Sequence, residues 1–337
     1  MDQGIKTPAL GGFSALPANG TAAAERRTGV EIEFGGLPPE EAATIVAQVL
    51  GGELHETSPA TWELTATQIG AVKVYLDTAM APEDHSWLAE IGVVLGAKVI
   101  PMEIVTEPIA ASELKALDRL IDALRALGGK GSRASLIYGF GLHLNPALAD
   151  PDGGMDLPKI ATAYALLEQW LRLRDPVDVS RRLLPFVEPF PDAFVQELAH
   201  GKGGLDLAAT FDAIDDHIVS RNHGLDLLPA YAALAPERFQ SHPAAKTNVS
   251  ARPAYHYRLP ETRLGVASWS LHYEWTRWQL IEAVAADRPT LEALSDIWLQ
   301  QHNAALPSEG AFAAAVGATL GERAQMAPDG GPAGQRA

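Results

Sequence analysis

The chain has no cysteine among its 337 residues. Disulfides, thiolate metal sites and a cysteine nucleophile are thereby excluded. Basic residues are scarce beside acidic ones: 26 Lys and Arg stand against 42 Asp and Glu, a formal charge of −16. A surface of that sign repels phosphate backbones and anionic lipid, and no local run of Lys or Arg offsets it. Neither nucleic acid nor a membrane is expected as a partner. No apolar run approaches the ~20 residues that span a bilayer. The opening MDQGIKTPALGGFSALPANG lacks the basic start and continuous apolar stretch of a secretory signal, so the expected location is cytoplasmic. Oligomeric state leaves no mark on the sequence.

Several catalytic signatures are also missing. There is no GxxxxGK[ST], HExxH, GxSxG or GxGxxG, which removes the usual marks of P-loop, zincin, serine-hydrolase and dinucleotide-binding sites.

What is present is an ordinary core-forming composition, 47% hydrophobic and 20% charged. Residues 1–27 and 324–337 mix Gly, Pro, Ala and Ser without periodicity and read as flexible tails around one body, 28–323. In 28–34 Val30, Ile32 and Phe34 alternate with Glu31 and Glu33, which predicts a strand with both carboxylates on one face. A helix follows to Leu50, with Pro38-Pro39-Glu40-Glu41 at its start and Gly51-Gly52 at its end. Strands are predicted at 61–64, 71–76 and 97–106, the last carrying Glu103 and stopped at Glu107-Pro108. An amphipathic helix over 112–127 has Ser112 as its cap and Leu114, Leu117, Ile121 and Leu124 as its buried stripe. In 135–145, Leu142 and Leu144 share one strand face while His143 and Asn145 share the other. The second half is mostly helical: 156–174, 192–199, 206–220, 275–286 and 290–304. It is interrupted by a strand at 254–259, where Tyr255 and Tyr257 alternate with His256 and Arg258. Strands among helices without regular βαβ alternation predict an α+β fold with a largely antiparallel sheet flanked by helices.

Glu-x-Glu on a strand equally describes a solvated sheet face, and a lone strand His a structural residue. If Glu31, Glu33, Glu103 and His143 share a partly desolvated cleft, their charges conflict unless a cation joins them. Oxygen-rich ligands with one imidazole suit Mg²⁺ or Mn²⁺ better than zinc. Asp77 either reaches the cleft or caps a turn. Trp62 and Glu63 are candidates for a pocket wall, and Trp269, Trp275 and Trp278 for the core.

Thr28-Gly-Val-Glu-Ile-Glu-Phe34, Glu103-Ile-Val-Thr-Glu-Pro108, Gly141-Leu-His-Leu-Asn-Pro146 and Tyr257-Arg-Leu-Pro260 occur in this order. Together they resemble the amidoligase family, a branch of the glutamine synthetase and glutamate–cysteine ligase superfamily, over about residues 28–290. The resemblance implies a glutamine-synthetase-like sheet that cradles ATP and two or more Mg²⁺. It implies an enzyme that joins a small-molecule or peptide carboxylate to an amine, as an amide or isopeptide, through an acyl phosphate. Glu31, Glu33, Glu103 and His143 would then be metal ligands, with Glu33 also catalytic. His143, Asn145 and Arg258 would face the nucleotide, and Arg258 the developing acyl phosphate. One departure falls on the second metal position: His256 stands where relatives often carry an acidic residue. Glu261, as a further ligand, and Arg263, as a further catalytic cation, lie just downstream to compensate. A metal-dependent hydrolase with the same Glu/His cluster, or a non-catalytic scaffold of this fold, are the other readings of these residues.

Overall fold

The computed structural model describes residues 25–76, 101–132, 139–178, 181, 187–247 and 249–321. Asp77 and the first parts of the predicted strands 97–106 and 135–145, residues 97–100 and 135–138, lie outside them.

The chain order is β1 (Thr28–Phe34), α1 (Pro39–Leu50), β2 (Glu53–Ser58), β3 (Thr61–Thr67), β4 (Gly70–Leu76), β5 (Met102–Thr106), α2 (Leu114–Ala126) and β6 (Leu142–Pro146). Then come α3 (Leu157–Arg174), α4 (Asp192–Gly201), α5 (Leu207–His217), β7 (Leu225–Asp226), α6 (Leu228–Leu234), α7 (Pro236–Phe239), β8 (His256–Tyr257), α8 (Leu271–Ala286), α9 (Arg288–His302) and α10 (Glu309–Leu320). One eight-stranded sheet has the order β2-β3-β4-β5-β1-β6-β8-β7, and each pair of neighbours is antiparallel. This is the mixed α and β architecture with a large antiparallel sheet that the pattern predicts.

β1 is central because its alternation supplies a fully apolar lower face. Val30, Ile32 and Phe34 are completely buried with Val72, Val74, Ile104, Leu142, Leu144 and Tyr257 against helices that include α1, α2, α3 and α8. Each such aliphatic side chain contributes about 1.5–3 kcal/mol on burial. The Thr106 hydroxyl accepts a hydrogen bond from Val30 N at 3.0 Å, which ties β5 to β1. The three tryptophans are core residues, and Trp269 and Trp278 donate their indole N–H groups to Glu274 and Glu282.

Several local expectations change. Ser112 does not cap α2: a 3₁₀ turn, Ala111–Glu113, precedes the helix, and Glu113 accepts the Ala110 N–H instead. The polar edge strand β2 and the short β7 carry too little apolar alternation to be marked as strands. α6, α7 and α10 also go unmarked, and the small residues of α10 leave almost no amphipathic stripe. Arg26, placed in a tail by composition, is buried, donates to Ala147 O and pairs with Glu282 at 2.9 Å. The body therefore extends back at least that far. Among the described residues, no helix is long and apolar enough to cross a membrane.

Candidate active site

The upper face of the sheet follows from strand register. Glu33 lies opposite Glu103 across β1 and β5, and Glu31 opposite His143 across β1 and β6. Directly paired residues point to the same side of a sheet, so period-two alternation and antiparallel pairing together gather all four groups. β8 lies beyond β6, with Tyr257 opposite Leu144. Tyr257 thus shares the apolar face, and its neighbours His256 and Arg258 share the face of His143.

Glu33, Glu103, His143 and His256 are each 6–8% exposed. His143 Nδ1 donates to Glu31 Oε2 at 2.9 Å, while Asn145 Nδ2 donates to Glu31 Oε1 at 2.9 Å. Burial alone would raise the Glu31 pKa, but the hydrogen bond and charge of His143 and the Asn145 bond together lower it. Glu31 is therefore a carboxylate. Glu33 Oε2 accepts the Gly141 N–H at 2.6 Å, and its Oε1 lies 3.8 Å from His143 Nε2. The His143 and His256 rings meet edge to face, 5.1 Å between centroids. One donor atom from each of Glu31, His143 and His256 falls within 4.8 Å of the others. Burial drives the His256 pKa down to about 4; its bond to Asp226 opposes the fall and the charge of His143 adds to it. This imidazole is neutral at pH 7, as a ligand must be.

Two guanidinium groups border the cluster. Arg258 Nη1 donates to Arg221 O at 2.9 Å. Burial pulls its pKa down, while Asp226, Glu33 and Glu31 hold it up. Arg181 donates to Leu259 O, Pro260 O and Arg258 O; burial lowers its pKa against the charges of Glu261 and Glu33. His256 Nε2, Arg258 Nε and Arg181 Nε are all buried without a hydrogen-bond partner. A buried donor or acceptor in that state costs about 1–3 kcal/mol, so three in one place mark a site built for something else to fill.

A sequence model of the family described as "Putative amidoligase enzyme" matches residues 24–281. The chain belongs to this family. No curated protein and no solved structure matches it. The amidoligase match begins beside Arg26, ends within α8 and contains every strand among the described residues and the whole cluster.

Not every residue assigned from the amidoligase resemblance comes to the cluster. Arg263 is buried in an ion-pair network, Nη1 on Asp175 at 2.7 Å and Nε on Glu261 at 3.1 Å. Glu261 is fully buried and also accepts the Asp178 N–H. The three-group cluster of Glu31, His143 and His256 includes neither, and it also leaves out Glu33 and Glu103, which adjoin it across β1 and β5. The chain past Pro260 keeps pairing with the approach to β6, Glu261 lying opposite Gly141, and what occupies Glu261 is its pairing with Arg263 and the Asp178 N–H. Glu107 lies just past the end of β5 and accepts the Ala71 N–H of the neighbouring β4 at 3.4 Å. Glu63 pairs with Lys73 at 3.1 Å on the exposed part of the sheet, and Trp62 is on the core side.

Arg181 and Asp226 are what the sequence reading missed. Arg181 stands in an Arg-Arg pair with no flanking pattern, and Asp226 belongs to a two-residue strand; neither context distinguishes it. The Gly-x-His spacing, by contrast, has a direct cause. A Cβ on Gly141 would lie 2.6 Å from His143 Nε2 and 3.2 Å from Arg181 Nη2. Gly141→Ala is expected to cost about 1–3 kcal/mol as the imidazole is forced aside, measurable by thermal unfolding; unchanged stability would show that the ring has room to move.

Proposed function

We propose that this chain is an ATP- and magnesium-dependent carboxylate–amine ligase with a glutamine-synthetase-like sheet. On this reading it works in the cytoplasm and forms an amide or isopeptide bond through an acyl phosphate. The observation that carries the proposal is the meeting, on one buried sheet face, of a carboxylate and imidazole cluster with two arginines that have unpartnered donors. A cation satisfies the first and a phosphate the second. A nucleotide triphosphate with its metal provides both.

The donor set fits the implied ion. Glu33 and Glu103 face each other across β1 and β5 and offer the all-oxygen ligands magnesium prefers, while Glu31 and His143 adjoin them. The ion and nucleotide would neutralise charge on the transferring phosphoryl group and activate the acid substrate. The chain's own residues bind and orient. Arg258, which already faces the charges of Glu33 and Glu31, would hold phosphate oxygens with its unpartnered Nε–H; Arg181 would support it from beneath through Arg258 O. The Gly141 N–H and Glu33 Oε2 bond fixes the carboxylate rotamer. Near-complete burial of these groups excludes water, which protects a hydrolysable acyl phosphate.

Calorimetry should detect ATP binding that depends on the metal, and a suitable acid and amine should elicit ADP and phosphate. Arg258→Gln is expected to weaken nucleotide binding and turnover by on the order of 10²-fold with little change in unfolding temperature. No nucleotide binding in the presence of metal would sink the ligase reading and leave metal-dependent hydrolysis or a scaffold.

A further inference from the structure

We propose that His256 is a metal ligand and that Glu31, His143 and His256 form a centre selective for a first-row transition ion over magnesium. The proposal rests on the preceding reading for the role of Glu31 and His143 as ligands, and takes from the structure the part that the amidoligase pattern does not supply.

Three observations carry it. The first is His256 Nε2, an acceptor-capable nitrogen buried without a partner 4.0 Å from Glu31 Oε2. The second is the residue behind it. Asp226 Oδ2 lies 3.2 Å from His256 Nδ1 and 3.3 Å from Arg221 Nε, while Asp226 Oδ1 accepts the Leu228 N–H at 3.1 Å. A carboxylate held by an arginine and a backbone N–H can only accept from the imidazole. It therefore fixes the proton on Nδ1 and leaves the Nε2 lone pair aimed at Glu31. A carboxylate on the far nitrogen of an imidazole is the support metal-binding histidines use to set tautomer and orientation. The third is spacing. Donor atoms bound to one ion at about 2.0–2.1 Å stand roughly 3–3.5 Å apart. Here one donor atom from each of Glu31, His143 and His256 falls within 4.8 Å of the others, with 4.0 Å from Glu31 Oε2 to His256 Nε2, so closure needs shifts of about an ångström or less and an ion that takes the place of the proton His143 Nδ1 donates to Glu31.

Two imidazoles and one carboxylate are the wrong set for magnesium, which demands oxygen ligands and sheds water reluctantly. They suit Mn²⁺, Co²⁺ and Zn²⁺, with affinity rising along that series in general. Three protein ligands leave coordination positions for a substrate or phosphate oxygen. The carboxylate pair Glu33 and Glu103 beside the centre keeps an oxygen-rich position for magnesium, so the site would hold two different ions.

The test is binding to the full chain, stripped with chelator and free of nucleotide. Calorimetry with Co²⁺ and with Mg²⁺, and the visible absorption of bound Co²⁺, give readouts that do not depend on turnover. One Co²⁺ is expected to bind on the order of 100-fold more tightly than Mg²⁺. His256→Asn should abolish the visible band, and Asp226→Asn should weaken Co²⁺ by about 10- to 100-fold. His256→Glu, which keeps a ligand while removing the second imidazole, should bring the Co²⁺ and Mg²⁺ affinities together. Equal affinity for the two ions in the unaltered protein, or full Co²⁺ affinity in both His256 variants, would overturn the proposal. Loss of ATP binding with Co²⁺ binding intact would instead count against the ligase reading, so the two failures are separable.

Discussion

Glu31→Gln is expected to lower the rate of ADP release by on the order of 10²–10³-fold while the chain stays folded. Glu31 sits at the meeting point of the site: Asn145 holds one oxygen, His143 holds the other, and His256 faces it. Glutamine keeps the shape and one hydrogen-bond acceptor but removes the charge, and its amide group meets a donor where a carboxylate oxygen stood. The stability change should stay near 1–2 kcal/mol, the scale of one poorly matched buried hydrogen bond. Glu63→Gln is the control, because Glu63 shares the sheet face but pairs with Lys73 in the open; surface changes of this kind fall within about 0.5 kcal/mol, and its rate should not move. Steady-state ADP release from both variants, with their unfolding curves, decides the matter. A fully active Glu31→Gln would remove Glu31 from the chemistry.

Arg263→Gln is expected to act in the opposite way, on stability, with a loss of about 3–5 kcal/mol. Arg263 is buried between Glu261, itself without solvent exposure, and Asp175. Arg277 extends the same network, 3.5 Å from Asp175 and 2.7 Å from the fully buried Glu274. Deleting one cation from such a network deprives desolvated carboxylates of their counter-charge, and that penalty exceeds whatever the pairs contribute over an apolar core. Denaturant unfolding of Arg263→Gln beside Arg258→Gln separates the two arginines. If Arg263→Gln keeps its stability and loses only turnover, the network is not structural and Arg263 belongs with the catalytic residues.

The sequence made the first of these residues visible and misplaced the second, for physical reasons. Glu31, Glu33, Glu103 and His143 were legible because each stands on a strand whose apolar alternation announces its face, and the glycine two residues before His143 leaves room for the ring. Glu261 and Arg263 follow Pro260, outside any periodic segment, so nothing local says which way they point. His256 could be placed on the face of Arg258 by alternation, but its identity read only as the loss of an acidic residue. Asp226, which turns that loss into a positioned lone pair, lies 30 residues earlier in the chain.

By itself the sequence determined the element types that carry the chemistry, the side of each long strand on which its carboxylates stand, and membership of the amidoligase family. Those properties follow from the period of a strand and from local composition. Tertiary structure alone decided which groups are close enough to share an ion, which arginine borders the cluster and which is locked in an internal ion-pair network. It also brought Arg181, Asp226 and His256 to the site, because pairing between strands and loops distant in the chain, together with the burial that makes an unpartnered nitrogen costly, is a property of the assembled sheet and of no single segment.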